Sequence, residues 1–165
     1  MRRAQRDREF EEFVVAAWPR LRRAAYLLSH DSHDADDLVQ SALTSCYARW
    51  PKVRSEDAFA YVRRALVNAY IDSTRRRRPV PVPRDPDRAV PPDHAVEDRS
   101  ELTELLAPLS PRERSILVLR YYLDAPEAEV AARLGVSTGT VKSTASRALA
   151  RLRTAAITTE GEGHD

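Results

Sequence analysis

The sequence predicts an all-α protein built as two small helical bundles joined by a proline-rich linker, the second bundle carrying a helix-turn-helix. Three observations predict it. Outside the middle of the chain, apolar residues recur at three- and four-residue steps, and no two-residue alternation runs long enough for a sheet. Pro79-Val-Pro-Val-Pro-Arg-Asp-Pro-Asp-Arg-Ala-Val-Pro-Pro-Asp93 holds six prolines and no apolar periodicity, which marks an extended spacer. Glu129 to Arg147 reads as a helix, a tight glycine turn and a second helix.

The elements follow in order. Phe10, Phe13, Val14 and Ala17 make a first apolar stripe, and Pro19 is expected to open a second helix carrying Leu21, Ala24, Ala25 and Leu28. His30-Asp-Ser-His-Asp34 is a connecting turn. A third helix is expected from about Asp34 to Arg49, ended by Trp50-Pro51, and a fourth from about Asp57 to Arg76 with Ala58, Val62, Ala65 and Ala69 inside. Beyond the spacer, Leu102, Leu105 and Leu106 start a short helix. Ser110-Pro-Arg-Glu113 is a capping box with proline at the first helical position, and Ile116, Leu119 and Leu123 extend its stripe. Val130, Ala131 and Leu134 face inward from the next helix. Gly135 then supplies a left-handed stop, Val136 plugs the corner, and Ser137 or Thr138 caps the last helix. Glu160-Gly-Glu-Gly-His-Asp165 reads as a disordered tail.

Composition narrows the class. The 165 residues are 42% hydrophobic and 32% charged, with a net charge of +2. No apolar run approaches the roughly 20 residues of a membrane span, and the N-terminus lacks the apolar core of a secretion signal, so a cytoplasmic protein without membrane insertion is expected. The single cysteine, Cys46, excludes an intrachain disulfide and a multi-cysteine zinc site. Charge is uneven: residues 1–78 carry 16 Lys and Arg against 11 Asp and Glu, residues 79–98 carry 2 against 5, and residues 99–165 carry 9 against 9. The densest point, Arg75 to Arg78, suits either a phosphate contact or the C-terminal end of a helix dipole.

Three helix faces bear on function. On the last helix Val141, Ala145, Ala148 and Leu152 fall on one side, with Lys142, Ser143, Ser146 and Arg147 opposite. Small donors with little bulk suit entry into a major groove, although a solvated amphipathic helix has the same pattern. On the third helix Ala35, Leu38, Val39, Ala42 and Cys46 oppose Asp36, Asp37, Gln40 and Thr44. That acidic face would repel phosphate and fits either a basic protein partner or plain solvation. On the fourth helix Tyr61, Arg64, Asn68, Asp72 and Arg75 share one ridge, a mixture that can stack on and hydrogen-bond to single-stranded DNA. The loop Pro51-Lys-Val-Arg-Ser-Glu56 before it could form a pocket for an extruded base, and Tyr61 could equally pack as a core edge.

Taken together, Trp18-Pro-Arg-Leu, Asp34-Ala-Asp-Asp-Leu-Val-Gln40, Ala60 to Asn68, Leu117-Val-Leu-Arg-Tyr-Tyr122, Gly139-Thr-Val-Lys-Ser143 and Arg147 to Arg153 resemble an extracytoplasmic-function RNA polymerase sigma factor of the SigE-like actinobacterial type. The resemblance spans nearly the whole chain. It implies a sigma region 2 domain over residues 8–78, a linker over 79–98, a region 4 domain over 99–156 and a tail over 157–165. It implies that Asp36, Asp37 and Gln40 bind the beta-prime clamp of core polymerase, with the beta flap as a second contact. Lys52, Arg54, Tyr61, Arg64, Asn68, Asp72 and Arg75 would hold the minus-ten promoter element, and Thr140, Lys142, Ser143, Ser146 and Arg147 would read the minus-thirty-five element. The linker would thread the polymerase, and an anti-sigma protein is a further partner left open. Two positions depart from the family pattern. Ser146 stands where some relatives carry an aromatic, and Pro126 stands where a capping serine is common, leaving Ala125 as a poor cap.

Two other functions fit the sequence less well. A free-standing helix-turn-helix regulator leaves the Tyr61–Asn68 ridge and the spacer unexplained. An enzyme would draw on His30, Asp31, His33 and Asp34, but these are consecutive in a turn and no further ligand or nucleophile set accompanies them. No catalysis, cofactor or metal is therefore expected of this chain.

Overall fold

The computed structural model describes residues 2–76 and 100–162, and the regular elements among them are helical. The chain divides into two compact units, Met1–Asp98 and Arg99–Asp165. The predicted spacer lies outside the described residues.

The first unit comprises α1 (Arg3–Ser29), α2 (Ser32–Ala48), the short α3 (Trp50–Val53) and α4 (Ala58–Arg76). α2 packs against both α1 and α4. It does so through Ala35, Leu38, Val39, Ala42, Leu43 and Cys46, which recur at helical spacing and are buried. Burial pushes the Cys46 thiol pKa up to about 11. Asp31 starts α2 by accepting the Asp34 backbone N–H at 3.0 Å, so the helix begins two residues before the expected Asp34. His30 closes α1 in a left-handed conformation with φ 53°, its ring stacked on Tyr26.

Several expectations are corrected here. Pro19 does not open a new helix: α1 runs unbroken through it. One proline removes a single backbone donor, and the turn that loses it carries Val15, which is 77% exposed, so water can satisfy the freed carbonyl. The Leu21, Leu27 and Leu28 side chains buried just beyond Pro19 hold the helix together. The expected helix does end ahead of Trp50-Pro51, but a further short one begins there. α2 stops at Ala48, and the same two residues open α3, with Pro51 in its first turn. Trp50 is buried among aromatics, its ring 5.2 Å from Phe10 and 5.3 Å from Phe13. The buried line of α4 is Val62, Leu66 and Val67, while Ala58, Ala65 and Ala69 are only half-buried. The larger side chains take the centre of the interface.

The second unit comprises α5 (Glu101–Leu106), α6 (Pro111–Leu117), a π-helical turn (Val118–Tyr122), α7 (Glu127–Leu134) and α8 (Thr138–Glu162). Ser110 accepts the Glu113 N–H at 3.2 Å while the Glu113 carboxylate accepts the Ser110 N–H at 3.1 Å, completing the expected capping box. Arg151 of α8 donates to both oxygens of Glu113 at 2.7 Å and to the Pro108 carbonyl at 3.3 Å, tying the start of α6 to α8. Ser115 to Leu119 are all buried, and the π turn begins at the end of that run: Leu123 N–H bonds back five residues to the Val118 carbonyl at 3.0 Å, widening the turn. In α5 Leu106 is buried, but Leu105 is 42% exposed and does not join the expected stripe.

Pro126, not Ala125, occupies the N-cap of α7, without a side-chain bond. Ala125 is buried and donates its N–H to the Leu119 carbonyl at 2.8 Å, which assigns it to the preceding corner. Gly135 ends α7 at φ 68°, and Val136 N–H reaches the Ala131 carbonyl at 3.0 Å, closing the turn in Schellman fashion. Ser137 is the residue that caps α8, accepting the Thr140 N–H at 3.1 Å. α8 continues to Glu162, so residues 157–162, read as part of a tail, are helical. The alanines and long side chains from Ala148 to Ala156 propagate the helix outward from the packed Ala148 and Leu152.

Nothing lies within 4 Å of a Cβ added at Gly135, so Gly135→Ala is expected to cost only the left-handed backbone strain, about 1–2 kcal/mol, read as a lower urea midpoint for the second unit. The Glu113 carboxyl is held below its ordinary value of 4.5 by the Ser110 backbone N–H first and by Arg151 next. Its stabilising contribution is therefore complete above the unfolded value and is lost as pH falls through the lowered folded value. Glu113→Gln is expected to remove that component of acid sensitivity in a pH-dependent melting series.

Candidate functional site

α8 presents the candidate duplex-reading surface. Val141, Ala145, Ala148 and Leu152 are buried, joined by Thr144 at 7% exposure, and they fix which way the helix faces. Lys142, Ser143, Ser146 and Arg147 consequently lie exposed together on the opposite side. Thr140 is half-buried in the first turn, its hydroxyl 2.9 Å from that of Ser137. The Arg147 guanidinium lies along the helix, donating from Nε to the Ser143 carbonyl at 3.3 Å and from Nη2 to the Thr144 hydroxyl at 3.5 Å. These are weak bonds that a phosphate or guanine edge can replace. Beside Ser146 a groove of about 240 Å³ is bounded by Tyr121, Val141, Lys142, Ala145 and Leu149. Tyr121 is 55% exposed there and was not anticipated from sequence. The signal was the adjacent Tyr121-Tyr122 pair, of which only one ring fits inward.

The acidic face of α2 is narrower than the sequence suggests. Asp37 and Gln40 are exposed, but Asp36 accepts a 2.6 Å bond from Nε of Arg22, whose side chain is almost wholly buried. Arg22 Nη2 also donates to the Ser32 carbonyl at 3.3 Å. A buried guanidinium needs a carboxylate partner, so Asp36 balances α1 against α2 as well as lying beside Asp37. The position of Arg22 on the flank of the Leu21–Ala25–Leu28 stripe was the sequence signal for a buried cation.

On α4, Asn68, Asp72 and Arg75 are exposed, and Tyr61 and Arg64 are half-buried, so the ridge is continuous but sinks at its N-terminal end. Asp57 caps the helix by accepting the Ala60 N–H at 3.0 Å. The first half of the expected open loop from Pro51 to Glu56 belongs to α3: Val53 is buried, and the residues from Arg54 to Glu56 remain outside a helix. Lys52 is exposed, whereas Arg54 is held to Glu9 of α1, with Nε 2.8 Å from Oε2 and Nη2 3.0 Å from Oε1. A cleft of about 360 Å³ between α2 and α4 is lined by Asp34, Asp37, Leu38, Ser41, Ala69, Asp72, Ser73 and Arg76. It brings Asp37 of the acidic face and Asp72 of the ridge to the same opening.

Comparison with known proteins bears on both units. The family described as Sigma-70 region 2 matches residues 13–80, and the family described as Sigma-70, region 4 matches residues 99–152. The RNA polymerase sigma-E factor of Streptomyces coelicolor is 43% identical over 149 residues, covering 88% of this chain and 84% of that protein. The ECF RNA polymerase sigma factor SigM of Mycobacterium tuberculosis is 34% identical, covering 87% of this chain and 74% of its own length. The chain belongs to the extracytoplasmic-function group of RNA polymerase sigma factors. Its fold is also that of the sigma factor RpoE of Bartonella quintana, solved with the anti-sigma factor NepR, at TM-score 0.61 and 24% identity over 88% of this chain and 95% of that one. Among the described residues of this sigma factor, no helix is long and apolar enough to cross a membrane.

The two neighbouring carboxylates of α2 are expected to part company on mutation. Asp36→Ala should destabilise the first unit by about 1.5–3 kcal/mol, since it strips a charged hydrogen bond from buried Arg22. Asp37→Ala should stay within about 0.5 kcal/mol of the parent protein. Urea unfolding of the two variants side by side is the measurement.

Proposed function

We propose that this sigma factor divides its work between its units: α2 and α4 engage core polymerase and the melted minus-ten element, and α8 reads the minus-thirty-five duplex. The observation that carries the reading is the orientation of α8. Its buried line leaves Lys142, Ser143, Ser146 and Arg147 together on one exposed face that follows the capped helix-turn-helix corner. Thr140 stands at the start of that helix, where backbone N–H groups favour a phosphate.

In the first unit, exposed Asp37 and Gln40 offer the beta-prime clamp a carboxylate and an amide, while Asp36 contributes by keeping α2 in place through Arg22. Tyr61, Arg64, Asn68, Asp72 and Arg75 form the single-strand ridge, with Lys52 and Arg54 at its entrance; Arg54 exchanges Glu9 for phosphate on binding. The region 2 and region 4 family matches support domains over 8–78 and 99–156, and residues 79–98 would then thread the polymerase between them, with the second unit also meeting the beta flap. The chain acts in the cytoplasm and performs no catalysis; nucleotidyl transfer belongs to the polymerase. The complex of RpoE with NepR supports an anti-sigma protein as an additional partner. A free-standing regulator would have no use for a region 2 unit, and no observation favours it.

Transcription in vitro with purified core enzyme on a promoter library tests the reading. Asp37→Arg is expected to abolish co-purification with core polymerase while the chain stays folded. Arg147→Ala should lower promoter-specific transcription about tenfold with core binding intact. Loss of core binding from Arg147→Ala, or loss of duplex binding by the free chain from Asp37→Arg, contradicts the division of labour.

A further inference from the structure

Glu127 in the first turn of α7 has a side chain 31% exposed, and its two oxygens face cations from two other elements. Oε1 lies 3.6 Å from Nη2 of Arg120 in the π turn, and Oε2 lies 3.6 Å from Nζ of Lys142 on α8. Arg120 is itself fixed, because its Nη1 donates to the Ala125 carbonyl at 2.7 Å. The carboxylate is thus anchored on one side and presents its other oxygen to a lysine whose side chain is 66% exposed. A negative charge beside a DNA-facing lysine opposes phosphate binding, so its effect falls on DNA affinity rather than on packing.

We propose that Glu127 is a positioning residue for Lys142. It competes with DNA phosphate for the ammonium and so suppresses binding to arbitrary duplex, leaving discrimination to the base-facing groups of α8. This rests on the assignment of α8 to duplex DNA. The physical basis is a difference of affinities: an exposed pair at 3.6 Å is weak enough for a well-placed phosphate to displace, yet it penalises every encounter in which the rest of the interface does not form. On a matched site the other contacts of α8 offset the exchange. On unmatched duplex they do not, and the lysine remains on Glu127.

The test uses the full chain with two duplexes: one selected by the parent holoenzyme from a promoter library, and its scrambled counterpart. Binding is followed across a salt series. Glu127→Gln is expected to raise affinity for the scrambled duplex roughly two- to fivefold. It should steepen the dependence of log K on log salt by up to about one, the signature of an additional phosphate contact. The selected duplex should gain at least as much affinity but with little change of salt slope, since its exchange is already made in the parent, and the gain on both duplexes should shrink when Lys142→Gln is already present. Glu127→Ser repeats the measurement with a residue well accepted in a first helical turn, and thermal melting of each variant reports folding. Unchanged affinity and salt slope, or the same gain in the Lys142→Gln background, overturns the proposal while the DNA assignment stands if the parent protein still prefers the selected duplex. A parent protein that prefers neither duplex removes both.

Discussion

Each unit is a small set of helices wrapped around one line of contact, and a helix in such a set can bury only the stripe that meets its neighbours. In the first unit that line is α2, which lies against both α1 and α4 and buries Ala35, Leu38, Val39, Ala42, Leu43 and Cys46 between them. Small units bury a modest share of their surface, so the outer faces stay open and polar. The burial of Leu38, Val39 and Ala42 therefore determines where Asp37 and Gln40 point, and Val141, Ala145 and Ala148 do the same for Lys142 and Ser146. Function is displayed by what the core leaves over.

Local chemistry was legible in the sequence and distant pairing was not. The capping box at Ser110, the glycine stop at Gly135 and the buried line of α8 are short-range features whose residues act within one or two turns, and the structure contains all three. The continuity of α1 through Pro19 depended on leucines buried by another helix, which local propensity does not register. The π turn at Val118 begins at the end of five consecutive buried residues, Ser115 to Leu119, a pattern that a single helical period misreads.

The candidate site divides along the same boundary. Which residues face outward on α8 followed from periodicity, but which of them are already engaged did not. Arg22 and Asp36 meet across fourteen residues of sequence, Arg54 meets Glu9 across forty-five, and Tyr47 donates to Asp7 across forty. Two of these links use charges, Asp36 and Arg54, that the sequence reading assigned to partners. The near balance of charge in residues 99–165 has the same meaning in three dimensions: acids such as Glu113 and Glu127 sit against arginines and lysines rather than standing apart from them.

The lone sulfhydryl has a consequence for signalling. Cys46 is sealed in the α2 core, and burial that pushes its pKa up to about 11 keeps it in the thiol form at neutral pH. Peroxide and electrophiles react with the thiolate, so this molecule is poorly suited to sense oxidants directly. An oxidative stimulus would have to be detected by another protein and relayed here by binding.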